Sequence, residues 1–318
     1  SARSLELLKK RLISASLLIS IALLFIGLDA WAFNFGCPGL WMLPLGFYLI
    51  LGSAIECTKM VSSSAIGSIA VPALIGTGIV MLSGCAELLW PLSGSDYPID
   101  FGIGPLEWPL VTSILVAIGC FAYFFSGFQV NSGSFQRAIF SGWVSCYFGI
   151  CFSMAIAVRM LGPPAWGLFV LIGLIVVTKL ADTGAYFTGR AFGRTKLCPS
   201  VSPNKTVEGL LGGMALACLA AWLYFGPFAQ WKFGHSISGE ELKFIGWVGV
   251  GALGVGLTIA GLFGDLLESV FKRELGFKDS GTMLPGLGGF WDVTDSLLPA
   301  LVIGFVIARG GLIVAPVP

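Results

Sequence analysis

Long apolar runs separated by short polar stretches fill the chain from end to end. A bilayer core about 30 Å thick takes about 20 residues of helix. Runs of that order fall at about 12–28, 39–55, 66–90, 108–128, 138–158, 165–181, 207–228, 244–267 and 296–315. The pattern therefore predicts an all-α polytopic integral membrane protein with about nine transmembrane helices. The first run follows Lys9, Lys10 and Arg11, as a secretory signal would. Its length of about 17 residues exceeds the about 7–15 of a signal core, so it is read as a retained anchor. Ser1 in place of an initiating methionine suggests a processed start with residues preceding it.

Composition agrees with the pattern. Hydrophobic residues make up 56% of the 318 and charged residues 11%, against about 25% charged in soluble domains. Glycine is abundant, at 44 residues. In lipid, small residues let helices approach closely, so tightly packed spans are expected. The eight cysteines form no CxxC pair and mostly fall in apolar runs, where a thiol behaves as a small hydrophobe. Neither disulfides nor a zinc site is expected. The one histidine, His235, lies in a short polar loop, which leaves no histidine-based catalysis. A formal net charge of +1 gives no reason to expect a nucleic-acid partner.

The distribution of charge says more than its sum. With the N-terminus on the cytoplasmic side, that face receives 13 Lys or Arg and the other face four (Arg159, Lys232, Lys243 and Arg309), with Lys179 inside a span. The positive-inside rule then puts the N-terminus in the cytoplasm and the C-terminus on the opposite side. Segment 91–107 carries three acids and no Lys or Arg, as an outer loop should. Two unusual loops, 182–206 and 268–295, share the cytoplasmic face. Residues 1–165 read as helices for packing and dimerisation, and 166–318 as the catalytic region. No internal repeat is visible.

The polar residues within and beside the late spans suggest chemistry. Asp265 ends an apolar span, and Glu268 and Lys272 follow at steps of three and four, on one helical face. Pro285, Gly286, Gly288 and Gly289 preclude a helix and let the backbone approach a ligand. One cap would explain Asp292 or Asp295, but not both together with Asp265. Three carboxylates in proximity repel one another, and a hard cation with oxygen ligands relieves this. In SVSPNKTVEGLLGG, 200–213, Ser202 reads as a helix N-cap with Pro203 at the first position. Lys205 and Thr206 then fall in the first turn, where an anion is favoured. Acids for a cation, with lysines and a helix start for phosphate, suit phosphoryl or nucleotidyl transfer. The Walker A pattern is absent.

The run SVFKRELGFKDSGTMLPGLGGFWDVTD, 269–295, closely resembles the signature of the CDP-diacylglycerol synthases, or phosphatidate cytidylyltransferases. Upstream, ADTGAYFTGRAFGR and SPNKTVEG look like that family's other cytoplasmic motif. The resemblance covers about 178–300. It implies a polytopic homodimer in the bacterial inner membrane with its active site facing the cytoplasm. The implied reaction joins CTP and phosphatidic acid into CDP-diacylglycerol and pyrophosphate with Mg2+, a second cation such as K+ being left open. Carried over by motif position, Asp265, Asp292 and Asp295 would hold the metal and Lys205 would neutralise phosphates. Ser202, Thr206, Asp182, Lys272, Arg273, Lys278, Asp279, Gly288 and Gly289 would line the substrate site. The sequence departs from the family pattern at Leu287, Val293 and Asn204, where histidine, arginine and lysine are usual.

Three other readings compete. A CTP-dependent polyprenol or phytol kinase would share the nucleotide handling. A cation-coupled transporter could use the three aspartates as an ion site, and an inactive scaffold is motivated by Leu287 and Val293. The length of the 269–295 match favours the cytidylyltransferase.

Overall fold

The computed structural model describes residues 2–31, 37–94, 97–98, 104–130, 132–234 and 245–315, with side chains from residue 9 onward. His235 and Lys243 lie outside the described residues. The fold is helical: α1 (Ala2–Trp31), α2 (Met42–Ser62), α3 (Ala70–Gly84), α4 (Ala86–Leu89), α5 (Glu107–Phe125), α6 (Ser134–Arg159), α7 (Pro164–Phe192), α8 (Val207–Leu223), α9 (Ala229–Phe233), α10 (Trp247–Glu274), α11 (Phe290–Thr294) and α12 (Leu297–Arg309). A two-stranded antiparallel sheet, β1 (Lys196–Cys198) with β2 (Ser202–Thr206), precedes α8. Among the described residues, eight helices are long and apolar enough to cross a membrane. A ninth follows if the pair 70–84 and 86–93, bent by 58°, is one span. That bend falls at Cys85, whose N–H turns to Leu82 O at 3.1 Å in a tightened last turn, as helix ends commonly do. Among the described residues no disulfide forms.

The chain forms two compact units that are not simple halves of the sequence. Ser1–Ile156 joins Phe271–Thr294, and Ala157–Val270 joins Asp295–Pro318.

In the first unit α2 packs against α3 and α11, and α3 against α5. Gly52 on α2 admits the Phe290 ring, which a Cβ there would meet at 2.5 Å. Trp291 is fully buried, beside Phe148 (5.5 Å between centroids) and Phe271 (5.5 Å). Its indole fixes α11 against its neighbours, because large aromatic rings bury the most area per residue.

In the second unit the most extensive contact joins α7 to α8. A Cβ at Gly213 would come within 2.9 Å of Ala181 O, and one at Gly209 within 2.8 Å of Ala185 O. Small residues thus bring these backbones together, as expected for helices that have no hydrophobic drive to associate in lipid. On α10, a Cβ at Gly264 would overlap Asp295 O. Glycine there lets α10 lie directly against the helix break at Asp295 and Ser296.

Two local expectations are corrected. Residues 182–192 are not a loop, since α7 runs unbroken to Phe192. The apolar run ends near 181, but no proline stops the helix there, and Gly184 and Gly189 continue the packing on α8. Ser202 is not a helix N-cap either. Residues 202–206 are strand β2, and the cap is Thr206, extended at φ −128°, ψ 155°, with Oγ1 accepting from Gly209 N at 3.1 Å. Glu208 accepts from the N–H groups of Arg194 and Thr195 at 3.0 and 3.1 Å. These bonds tie α8 to the chain entering β1, so Thr206 outcompetes Ser202.

Candidate active site

Two polar clusters form, one in each unit. In the second unit Asp265 and Glu268 come from one face of α10 and Asp295 from the break preceding α12. One oxygen from each of the three carboxylates lies within 4.8 Å of the others. Glu268 is 1% exposed and Asp295 8%. Lys205, projecting from β2, pairs with Asp265 at 2.6 Å, and Ser269 Oγ donates to the other Asp265 oxygen at 3.3 Å. Ser296 N donates to Asp295 Oδ1 at 2.6 Å. Beside them, Lys179 on α7 donates to Ser296 Oγ at 2.9 Å, and that hydroxyl donates to Asp182 at 3.0 Å. Asp182 also pairs with Lys179 at 3.5 Å.

Asp182, Asp265, Glu268 and Asp295 gather here with Lys179 and Lys205. Buried like charges persist when a cation or a proton offsets them. Three oxygen donors, two of them well buried, fit a hard divalent cation that keeps water or substrate oxygens in its other positions.

The first unit treats its acid differently. Asp292, in α11, pairs with Lys272 at 2.7 Å through Oδ1, both side chains being largely buried. Its Oδ2 accepts from Gly289 N at 2.7 Å, Ser280 Oγ at 2.8 Å and Ser280 N at 3.0 Å. The glycine-rich turn therefore wraps the carboxylate. Gly288 takes a positive φ of 98°, and a Cβ there would come within 2.6 Å of Asp292 Oδ2. Only glycine meets both demands. The same turn is anchored from α1, where Arg11 Nε donates to Gly286 O at 3.0 Å and Ser14 Oγ to Pro285 O at 2.7 Å.

Of the expected site residues, Asp265, Asp295, Lys205 and Asp182 gather in the second unit. Asp292, Lys272, Gly288 and Gly289 gather in the first. Arg273, Lys278 and Asp279 are exposed, Ser202 is half-buried in β2, and Thr206 is the buried cap of α8. Leu287 and Val293 are half-buried.

Sequence reasoning missed Glu56, Ser280, Lys179 and Ser296 as partners, and noted Glu268 only as sharing a face with Asp265. Lys179 stood out as a lysine inside a span, and signals were present for two of the others. Glu268 stands three residues after Asp265, and Glu56 is an acid one residue beyond the apolar run 39–55, where ionisable residues are costly.

A polytopic helical membrane protein that collects carboxylates and lysines in this way is equipped to handle phosphate-bearing substrates at the bilayer. A sequence model of the cytidylyltransferase family matches residues 9–309, and the chain belongs to that family. It is 30% identical over 256 residues to a phosphatidate cytidylyltransferase of Bacillus subtilis, covering 80% of this chain and 85% of that one. Similarity to the Staphylococcus aureus (strain COL) phosphatidate cytidylyltransferase is 34% identity over 197 residues, covering 61% and 68%. The Haemophilus influenzae phosphatidate cytidylyltransferase is 40% identical over 138 residues, 43% of this chain and 45% of that protein.

Proposed function

We propose that this chain is a membrane phosphatidate cytidylyltransferase, joining CTP to phosphatidic acid and releasing CDP-diacylglycerol and pyrophosphate for phospholipid synthesis. Family membership across residues 9–309 and the named relatives support the activity. The observation that carries the site is the convergence of Asp265, Glu268 and Asp295 beside Lys205 within one unit.

In this reaction a phosphate oxygen of the lipid attacks the α-phosphorus of CTP. The new P–O bond forms as the bond to the bridging oxygen breaks, and the electron pair leaves with pyrophosphate. The attacking oxygen is already ionised near neutral pH, so the chain needs no histidine base. Asp265, Glu268 and Asp295 would hold Mg2+, and Asp292, expected in the same set, instead anchors Lys272 and the glycine-rich turn. A bound divalent cation supplies charge neutralisation for two anionic substrates and the leaving group. Lys205, held in place by Asp265, presents its ammonium to phosphate oxygens. Lys179 and Asp182 orient Ser296 at the helix break. Lys272, Arg273, Lys278, Asp279, Gly288 and Gly289 form the nucleotide-binding turn, and Ser202 and Thr206 border Lys205.

The protein works as a homodimer in a bacterial inner membrane, N-terminus and active site on the cytoplasmic side. The 13-to-4 division of basic residues supports that orientation. The test is purified protein with CTP, phosphatidic acid and Mg2+, scored for CDP-diacylglycerol. Absence of product across lipids and divalent cations would overturn the reading.

A further inference from the structure

Glu56 is a carboxylate in the middle of unit-one packing, 2% exposed on α2. Its Oε2 accepts from Trp291 N at 3.1 Å and from Ser280 Oγ at 3.1 Å. Its Oε1 is fully buried and has no hydrogen-bond partner among the described residues. Two glycines make room for it. A Cβ at Gly281 would overlap Oε1, and one at Gly289 would overlap both Oε2 and Ser280 Oγ. A half-satisfied buried carboxylate is costly where an apolar side chain would pack at no such cost. Filling space does not account for Glu56.

What the carboxylate does geometrically is specific. Ser280 precedes the turn 281–289 and Trp291 follows it, so one oxygen of Glu56 clamps both ends of the turn. The Ser280 hydroxyl has a single hydrogen, and it stands within reach of Glu56 Oε2 and, at 2.8 Å, Asp292 Oδ2. Ser280 Oγ in turn accepts from Asp292 N at 3.3 Å. Glu56 is therefore one bond away from the groups that set the Asp292 rotamer, and Asp292 in turn holds Lys272.

We propose that Glu56 is a positioning residue for the glycine-rich turn, acting through Ser280 and Trp291 N to hold Asp292 and Lys272 in their working arrangement. The proposal rests on the cytidylyltransferase reading above, in which that turn binds nucleotide. Ser53 provides the comparison. It lies one turn earlier on α2 and bonds Thr294 at 2.9 Å, so it docks α11 without touching the turn's first end.

The experiment compares wild type, Glu56→Gln, Ser280→Ala and Ser53→Ala by kcat, KM for each substrate, thermal unfolding and hydrogen–deuterium exchange over 280–291. Glu56→Gln keeps the volume and removes the charge. It should lower kcat by about 10- to 100-fold, the range seen when outer partners of a functional group are lost. The KM for phosphatidic acid and the unfolding temperature should stay near those of Ser53→Ala, and exchange should rise within 280–291. Ser280→Ala should reproduce the kcat loss. Wild-type kcat and unchanged exchange in Glu56→Gln would overturn the proposal, as would an equal kcat loss in Ser53→Ala. Failure of the functional reading looks different: wild type itself would make no CDP-diacylglycerol. The exchange measurement then still decides whether Glu56 holds the turn.

Discussion

Two acidic groupings, one in each unit, are held in different ways. In the first, Asp292 receives an ammonium, a hydroxyl and two backbone N–H groups, and the protein alone satisfies it. In the second, carboxylate oxygens of Asp265, Glu268 and Asp295 converge on one another, and Lys205 pairs with Asp265. A saturated carboxylate builds structure, whereas three carboxylates that converge on one another suit a cation. The contrast separates two aspartates only three residues apart in the chain, which the helix break at Asp295 and Ser296 assigns to different neighbours.

Substitutions can break this comparison, and the largest effects belong to the second unit. Asp265→Ala and Asp295→Ala should each lower turnover by more than about 100-fold, with folding retained, measured as CDP-diacylglycerol formed per unit of purified protein. Wild-type turnover in either would remove that residue from the site. Lys205→Met should follow, at about 100-fold, and Lys205→Arg should recover only part, since a guanidinium does not replace a compact ammonium.

Asp292→Asn should instead act first on stability. Breaking a largely buried ion pair costs about 3 kcal/mol or more because Lys272 loses the counter-charge of Asp292. The double variant Asp292→Asn with Lys272→Met should recover much of that loss in thermal unfolding while activity stays low. No such recovery is expected from pairing Asp265→Asn with Lys205→Met, where Glu268 and Asp295 still converge. The smallest effect is Thr206→Ala, which removes the α8 cap and should cost about 1 kcal/mol.

The sequence was a good guide where burial in lipid dictates pattern. Apolar runs located the eight candidate spans found among the described residues, because every spanning backbone must satisfy itself as helix. Asp265 and the glycine-rich turn stood out for the same reason, as polar features where the bilayer penalises them. Hydropathy could not find where helices end beyond the membrane, so the continuation of α7 to Phe192 was hidden. Ser202 and Thr206 both look like caps locally, and the choice depends on Glu208 reaching back to Arg194 and Thr195. What meets Glu56 was also hidden, since Glu56 and Ser280 are 224 residues apart.

The cation site proposed for this chain is Asp265, Glu268 and Asp295, while Asp292 is satisfied by protein groups. Mn2+ binding, followed by electron paramagnetic resonance on wild type, Asp295→Asn, Glu268→Gln and Asp292→Asn, tests it most directly without relying on turnover. The account predicts strongly weakened Mn2+ binding in Asp295→Asn and Glu268→Gln, with near wild-type binding in folded Asp292→Asn. Loss of Mn2+ in Asp292→Asn with retention in Asp295→Asn would contradict it.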